Sequence, residues 1–100
     1  MLTGKQKRFL RSKAHHLDPL FQVGKGGVNE NMIKQIDDVL EARELIKVNI
    51  LQNCDEDRDT VAEQLSKGAK AETVQVIGNT IVLYKESREK KQIELPKANR

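Results

Sequence analysis

The chain has 100 residues, of which 37% are hydrophobic and 33% charged, and its formal net charge is +3 at pH 7. Those totals suit one globular domain with a core of its own, and no apolar run is long enough to span a bilayer. Cys54 is the single cysteine, which excludes an internal disulfide and makes a reducing, cytoplasmic setting the expectation; the basic N-terminal stretch has no apolar segment behind it, so no secretory signal is expected.

Thr3 can cap a first helix, with Leu2 before it as a hydrophobic staple. From Lys5 to Leu17 the apolar residues Phe9, Leu10, Ala14 and Leu17 fall on one side at helical spacing. Lys5, Arg8, Ser12 and His15 fall opposite, with Arg11 beside them, so the helix has a basic polar face. His15 and His16 are adjacent on a helix and point in different directions, which argues against a shared metal. Up to Val28 the basic residues are Lys5, Lys7, Arg8, Arg11, Lys13 and Lys25, against Asp18 alone, whereas from Asn29 onward acidic residues outnumber basic ones. A basic first third suits a polyanionic partner, and equally a solvated helix face.

Asp18-Pro19 stops the helix, because the residue before proline resists helical angles. Leu20 to Val23 reads as a short strand with Phe21 and Val23 on one face. Gly24-Lys25-Gly26-Gly27 follows, and Asn29 is a good N-cap for the next helix. Glycines at a helix N-terminus with a lysine at the loop tip can cradle phosphate; an ordinary strand-to-helix turn has the same look. Met32, Ile33, Ile36, Val39 and Leu40 carry a second helix to about Arg43.

Leu45 to Leu51 changes to period two, with Ile46, Val48 and Ile50 on one face and Lys47 and Asn49 on the other. Asp55, Asp57 and Asp59 imitate the start of a calcium loop, but Thr60 and Ser66 stand where that loop needs Gly and Glu, so calcium is rejected. A third helix carries Val61, Leu65 and Ala69, with Gly68 near its end. Thr73–Ile77 and Thr80–Tyr84 flank Gly78-Asn79, which signals a tight hairpin. The segment after Tyr84 is charged. Ile93 and Leu95 can add a short extended contact before Pro96, and residues 97–100 are expected to be a disordered tail behind a single domain of residues 1–96.

The order α-β-α-β-α-β-β predicts a two-layer α/β fold with a four-stranded mixed sheet. Each strand–helix–strand unit should be a parallel crossover. Helices two and three should share one sheet face, and pattern alone leaves the first helix unplaced.

Several stretches resemble the CRM domain (chloroplast RNA splicing and ribosome maturation), in the manner of a stand-alone bacterial member of the YhbY type. They are Leu2-Thr3-Gly4-Lys5-Gln6, Leu10, Ala14-His15, Leu17, Pro19 and Gly24-Lys25-Gly26-Gly27-Val28, then Ile36, Leu40, Glu44-Leu45-Ile46-Lys47-Val48, Gln75-Val76-Ile77-Gly78 and Leu83-Tyr84. The resemblance covers essentially the whole chain. It implies RNA binding through a G-x-x-G loop, here Gly24 to Gly27, and a fold like the C-terminal domain of bacterial translation initiation factor three. It also implies association with precursors of the large ribosomal subunit. Gly26 is an additional glycine inside the motif.

On these readings the expected activity is RNA binding without catalysis, by a monomer with no cofactor, metal or membrane partner. Phosphates would meet the loop amides, Lys25 and the start of helix two at Asn29, and also Lys5, Arg8 and Arg11, with Lys13 and His15 as further contacts. The three aromatic residues Phe9, Phe21 and Tyr84 read as partly or wholly core, so recognition by shape and backbone is expected over base stacking. A KH domain also carries G-x-x-G, but between two helices, whereas a strand is expected here before the loop. Neither a P-loop nor a Rossmann fingerprint is present to support a nucleotide-binding enzyme. A protein adaptor whose charge merely gives solubility is the remaining alternative.

Overall fold

The computed structural model describes residues 2–97. Each helix begins where a side chain satisfies an orphan backbone amide. The Thr3 hydroxyl accepts from the Gln6 amide at 3.1 Å, and the Gln6 side chain accepts from the Thr3 amide at 3.1 Å. This capping box opens α1 (Gly4–Ala14). Asn29 accepts from Met32 to open α2 (Glu30–Arg43), and Asp57 accepts from Thr60 to open α3 (Arg58–Ala69). The first helix stops one turn short of the expected Leu17; the His15 amide still bonds to Arg11 O, and Leu17 lies just beyond, packed under the helix. Asp57 thus serves as a helix cap within the Asp55–Asp59 run, and bonds from the Thr60 amide and hydroxyl hold its carboxyl below the ordinary range.

The strands are β1 (Pro19–Val23), β2 (Leu45–Ile50), β3 (Glu72–Ile77) and β4 (Thr80–Tyr84), in the sheet order β1-β2-β4-β3. β1 pairs parallel with β2, while β4 runs antiparallel to both β2 and β3. β2 and β3 are therefore parallel to each other, as a crossover through α3 requires, with β4 inserted between them. Gly78 closes the β3–β4 turn at φ 57°, a conformation that favours glycine.

Alternation along the strands sends two sets of apolar side chains to opposite faces. Ile46, Val48, Ile50, Ile81 and Leu83 meet Ile36 and Leu40 of α2 and Val61 and Leu65 of α3 in the main core. Leu45, Val82 and Tyr84 point the other way and meet Leu10 and Ala14 of α1. The expected layer of α2 and α3 on the sheet is present, and α1 adds a further layer on the opposite face. Phe21 and Phe9 are half-buried and Tyr84 is buried, in keeping with their core reading.

Gly68 sits where α3 crosses α2. A Cβ there would overlap the Ile33 side chain, which comes within 3.0 Å at Cγ1 and closer still at Cδ1. Alanine gains about 1 kcal/mol of helix propensity over glycine, but overpacking costs about 1–3 kcal/mol. Gly68→Ala is therefore expected to lower the urea midpoint. Adding Ile33→Val, which removes the nearest atom, should recover most of the loss in a double-mutant cycle.

Residues 85–97 have no regular structure, yet they are fastened. Glu44, fully buried, accepts from the amides of Ser87, Gln92 and Ile93, each at 2.7 Å. Glu41 accepts from the Ser87 hydroxyl and from the amides of Arg88 and Glu89. Ile93 and Leu95 then pack into the α1 cluster, and Gln6 donates to Pro96 O at 3.0 Å. The expected extended contact is a strap across the α1 side of the fold. The expected disordered tail lies, apart from Lys97, outside the described residues.

Candidate nucleic-acid interface

The polar face of α1 does not simply look into solvent. Lys5, Arg8, Arg11 and His15 recur at three- and four-residue spacing, which lines them up along one side of a helix. Leu10 and Ala14 are anchored on the sheet, so Arg8, Arg11, Ser12 and His15 become one wall of an open groove of about 650 Å³. The floor is the part of the sheet that α1 leaves uncovered: Lys47 from β2, Gln75 and Ile77 from β3, Thr80 from β4. A register shift between Thr73 and Gln75 builds this floor. It turns both Val74 and Gln75 toward α1, Val74 into the buried cluster and Gln75 into the groove.

Arg8, Arg11 and Lys47 make no ion pair among the described residues. Their charges are thus available to an anion in the groove. Lys5 is exposed on the first turn of the same face. Lys13 lies on the other flank, with its ammonium 5.3 Å from the Phe9 ring centre. There it borders a second hollow with His16, Leu20 and Arg43.

The glycine loop closes as a turn, with the Gly27 amide donating to Gly24 O at 3.0 Å. Gly26 at φ 96° and Gly27 at φ 69° take angles that side chains resist. This geometry assigns the loop's parts differently from a simple phosphate cradle. The Gly27 amide is used inside the turn, and the Asn29 side chain is committed to the Met32 amide. Glu30 occupies the first turn of α2, and the Glu56 side chain lies against Gly27. Lys25 is exposed, and the amides of Lys25 and Gly26 have no protein acceptor among the described residues. The loop therefore offers an anion one cation and two amides, while nearby carboxylates weaken the helix terminus itself.

The loop follows Val23, which pairs with Ile50, and the β3–β4 turn joins the same end, where Asn79 O accepts from the Ile50 amide. Groove residues Ile77 and Thr80 flank that turn. Loop and groove thus open toward one end of the sheet. Lys47, Gln75, Ile77 and Thr80 were not among the residues expected from sequence. Period two did place Lys47 on the face away from the main core, but only the position of α1 makes that face a groove.

The geometry can be set beside known proteins. A model of the CRS1/YhbY (CRM) domain matches residues 2–85. The chain is 77% identical over 96 residues to the Bacillus subtilis protein named "Probable RNA-binding protein YqeI", covering 96% of this chain and 100% of that one. A Haemophilus influenzae protein named "RNA-binding protein" is 38% identical over 96 residues, 96% of each chain. The solution structure of a hypothetical protein from Staphylococcus aureus superposes with a TM-score of 0.80 at 67% identity, over 96% of this chain and 100% of that one.

Proposed function

The chain belongs to the CRS1/YhbY (CRM) domain family, and from that membership we propose that it is a non-catalytic RNA-binding protein acting on ribosomal RNA in precursors of the large (50S) subunit. The observation that carries the RNA reading is the row of Arg8, Arg11 and His15 facing Lys47 across the groove. Arg8, Arg11 and Lys47, held on rigid elements and without an ion pair among the described residues, are suited to phosphates, which position an RNA without reading its sequence. Lys25 and the amides of Lys25 and Gly26, which have no acceptor among the described residues, hold a neighbouring phosphate at the loop. Relatives named as RNA-binding proteins support the ligand class. The large-subunit target rests on the family resemblance of the sequence. The protein acts as a monomer in the cytoplasm; no helix among the described residues is long and apolar enough to cross a membrane.

A KH-type clamp is disfavoured by the chain path, since β1, not a helix, leads into the glycine loop. The test is filter binding to precursor ribosomal RNA over a range of salt. Affinity should fall steeply and linearly on logarithmic axes, and a flat response removes the reading. Lys25→Ala should reduce the slope by about one unit while lowering affinity for all sequences alike. Retention on ribosomal particles after nuclease treatment would instead favour the adaptor alternative.

A further inference from the structure

The groove beside α1 is more than a basic surface. Its rim carries Arg8, Arg11 and His15, but its floor is mixed: the Lys47 stem, the Gln75 carboxamide, the Thr80 hydroxyl and Ile77, which is 60% exposed. A lone exposed isoleucine is ordinary on a protein surface. Here it lies next to a carboxamide that makes no hydrogen bond among the described residues, at the bottom of a cleft rimmed by cations.

Resting on the RNA reading above, we propose that this floor seats the base of an unpaired nucleotide. Ile77 lies against the base face, and Gln75 offers a donor and an acceptor side by side to the base edge. Arg8, Arg11 and Lys47 hold the flanking phosphates. Concavity selects this occupant over a duplex. A paired helix is too broad to enter a cleft of about 650 Å³ between one helix and a sheet; it would ride on the α1 rim and leave Gln75 and Ile77 untouched. An unpaired nucleotide in a loop, bulge or free strand can turn its base inward while its backbone stays on the cations, the usual way RNA bases become accessible to protein. The expected recognition by backbone then describes the rim, and the floor adds a contact to one base.

The experiment compares a labelled, unpaired mixed-sequence oligoribonucleotide with the blunt duplex of the same strand and its complement. The unpaired strand should bind about tenfold more tightly than the duplex. Gln75→Ala combined with Ile77→Ser should remove about that factor for the unpaired strand. The salt slope and the duplex affinity should stay unchanged, because neither residue carries charge. Thermal melting of the double variant checks its fold, and photocrosslinks from thio-substituted bases in the unmodified protein should map to residues 75–77. Equal or tighter duplex binding, wild-type behaviour of the double variant, or crosslinks confined to α1 would overturn the base seat. Those results leave a steep salt dependence intact and so remove this inference alone. Binding to neither RNA removes the underlying function with it.

Discussion

Glu44→Ala is expected to destabilise the fold by about 3 kcal/mol, because it strips the acceptor from buried amides that cost about 1–3 kcal/mol each when left unpaired. For a domain of this size that is a fall of more than about 10 °C in Tm. Glu44 also adopts φ 69°, which side chains resist. Alanine keeps that strain and loses the carboxylate. Glu44→Gly loses the carboxylate but relaxes the backbone, so it should be less destabilised than Glu44→Ala by about 1 kcal/mol. Parallel urea titrations separate the two contributions; equal loss in both variants would show that the backbone angle carries no strain.

The same carboxylates make stability depend on acid. Burial alone would raise the Glu44 pKa, but the amides of Ser87, Gln92 and Ile93, with the charge of Lys91, outweigh it and leave it lowered. The Arg88 amide, then the Ser87 hydroxyl, lower that of Glu41. A group whose folded pKa lies below its unfolded value of 4.5 binds protons more readily when unfolded. Its contribution is therefore complete above the ordinary carboxylate range and is lost as pH falls through the folded value. Stability of the wild type should drop on acidification below about pH 5, and Glu44→Ala should show a shallower drop. Tyr84 gives an independent readout. Burial first, then the charges of Glu44 and Glu86, push its hydroxyl up to about 12. Spectrophotometric titration of Glu44→Gln should show that value lowered.

The other large effect concerns binding. Arg8→Ala with Arg11→Ala should lower RNA affinity roughly 100-fold at low salt, taking each charged contact at about 1.5 kcal/mol. The salt slope should shrink by about 1.5 units, as expected for two lost phosphate contacts. Replacement by lysine should keep most of the slope but not all of the affinity, since a bidentate guanidinium contact has no lysine equivalent. Lys67→Ala is the control. Lys67 pairs with Glu63 on α3, on the far side of the sheet, and its loss should leave binding unchanged. A double arginine variant with a wild-type slope would take the α1 face out of the interface.

Much of this fold was legible because its local signals agree with one another. The 3.6-residue repeat of Met32 to Leu40, the two-residue repeat of Ile46 to Ile50, and Gly78-Asn79 each fixed an element that the structure reproduces. What stayed hidden depends on which distant surfaces meet. An apolar stripe on α1 says that the helix docks, not on which face. Once Leu10 and Ala14 are on the side opposite α2 and α3, Lys47 changes from a solvated strand residue into a groove residue. The glycine loop was visible from its composition, but its turn bond and the closeness of Glu56 were not. Glu44 stood only among the residues that carry the family resemblance, and Glu41 carried no reading of its own. Their partners are backbone amides of a segment with no periodicity, and amides leave no mark in the sequence that tells a carboxylate where to go.

The position of α1 has a consequence for how the chain matures. α1 precedes every other described element in the chain, yet its buried partners include Val74, Val82, Tyr84 and Ile93, all from the last third of the chain. During translation α2, β2 and α3 emerge while α1 has only Leu45 of β2 to rest on, and both clusters wait for β4 to be completed. Until then Leu10 and Ala14 stay mostly uncovered on a basic helix, and long-range closure of this kind is slow and open to aggregation. The groove beside α1 is thus completed only when β4 has joined the sheet. A nascent chain halted before β4 would carry the arginines without the surface that turns them into a site.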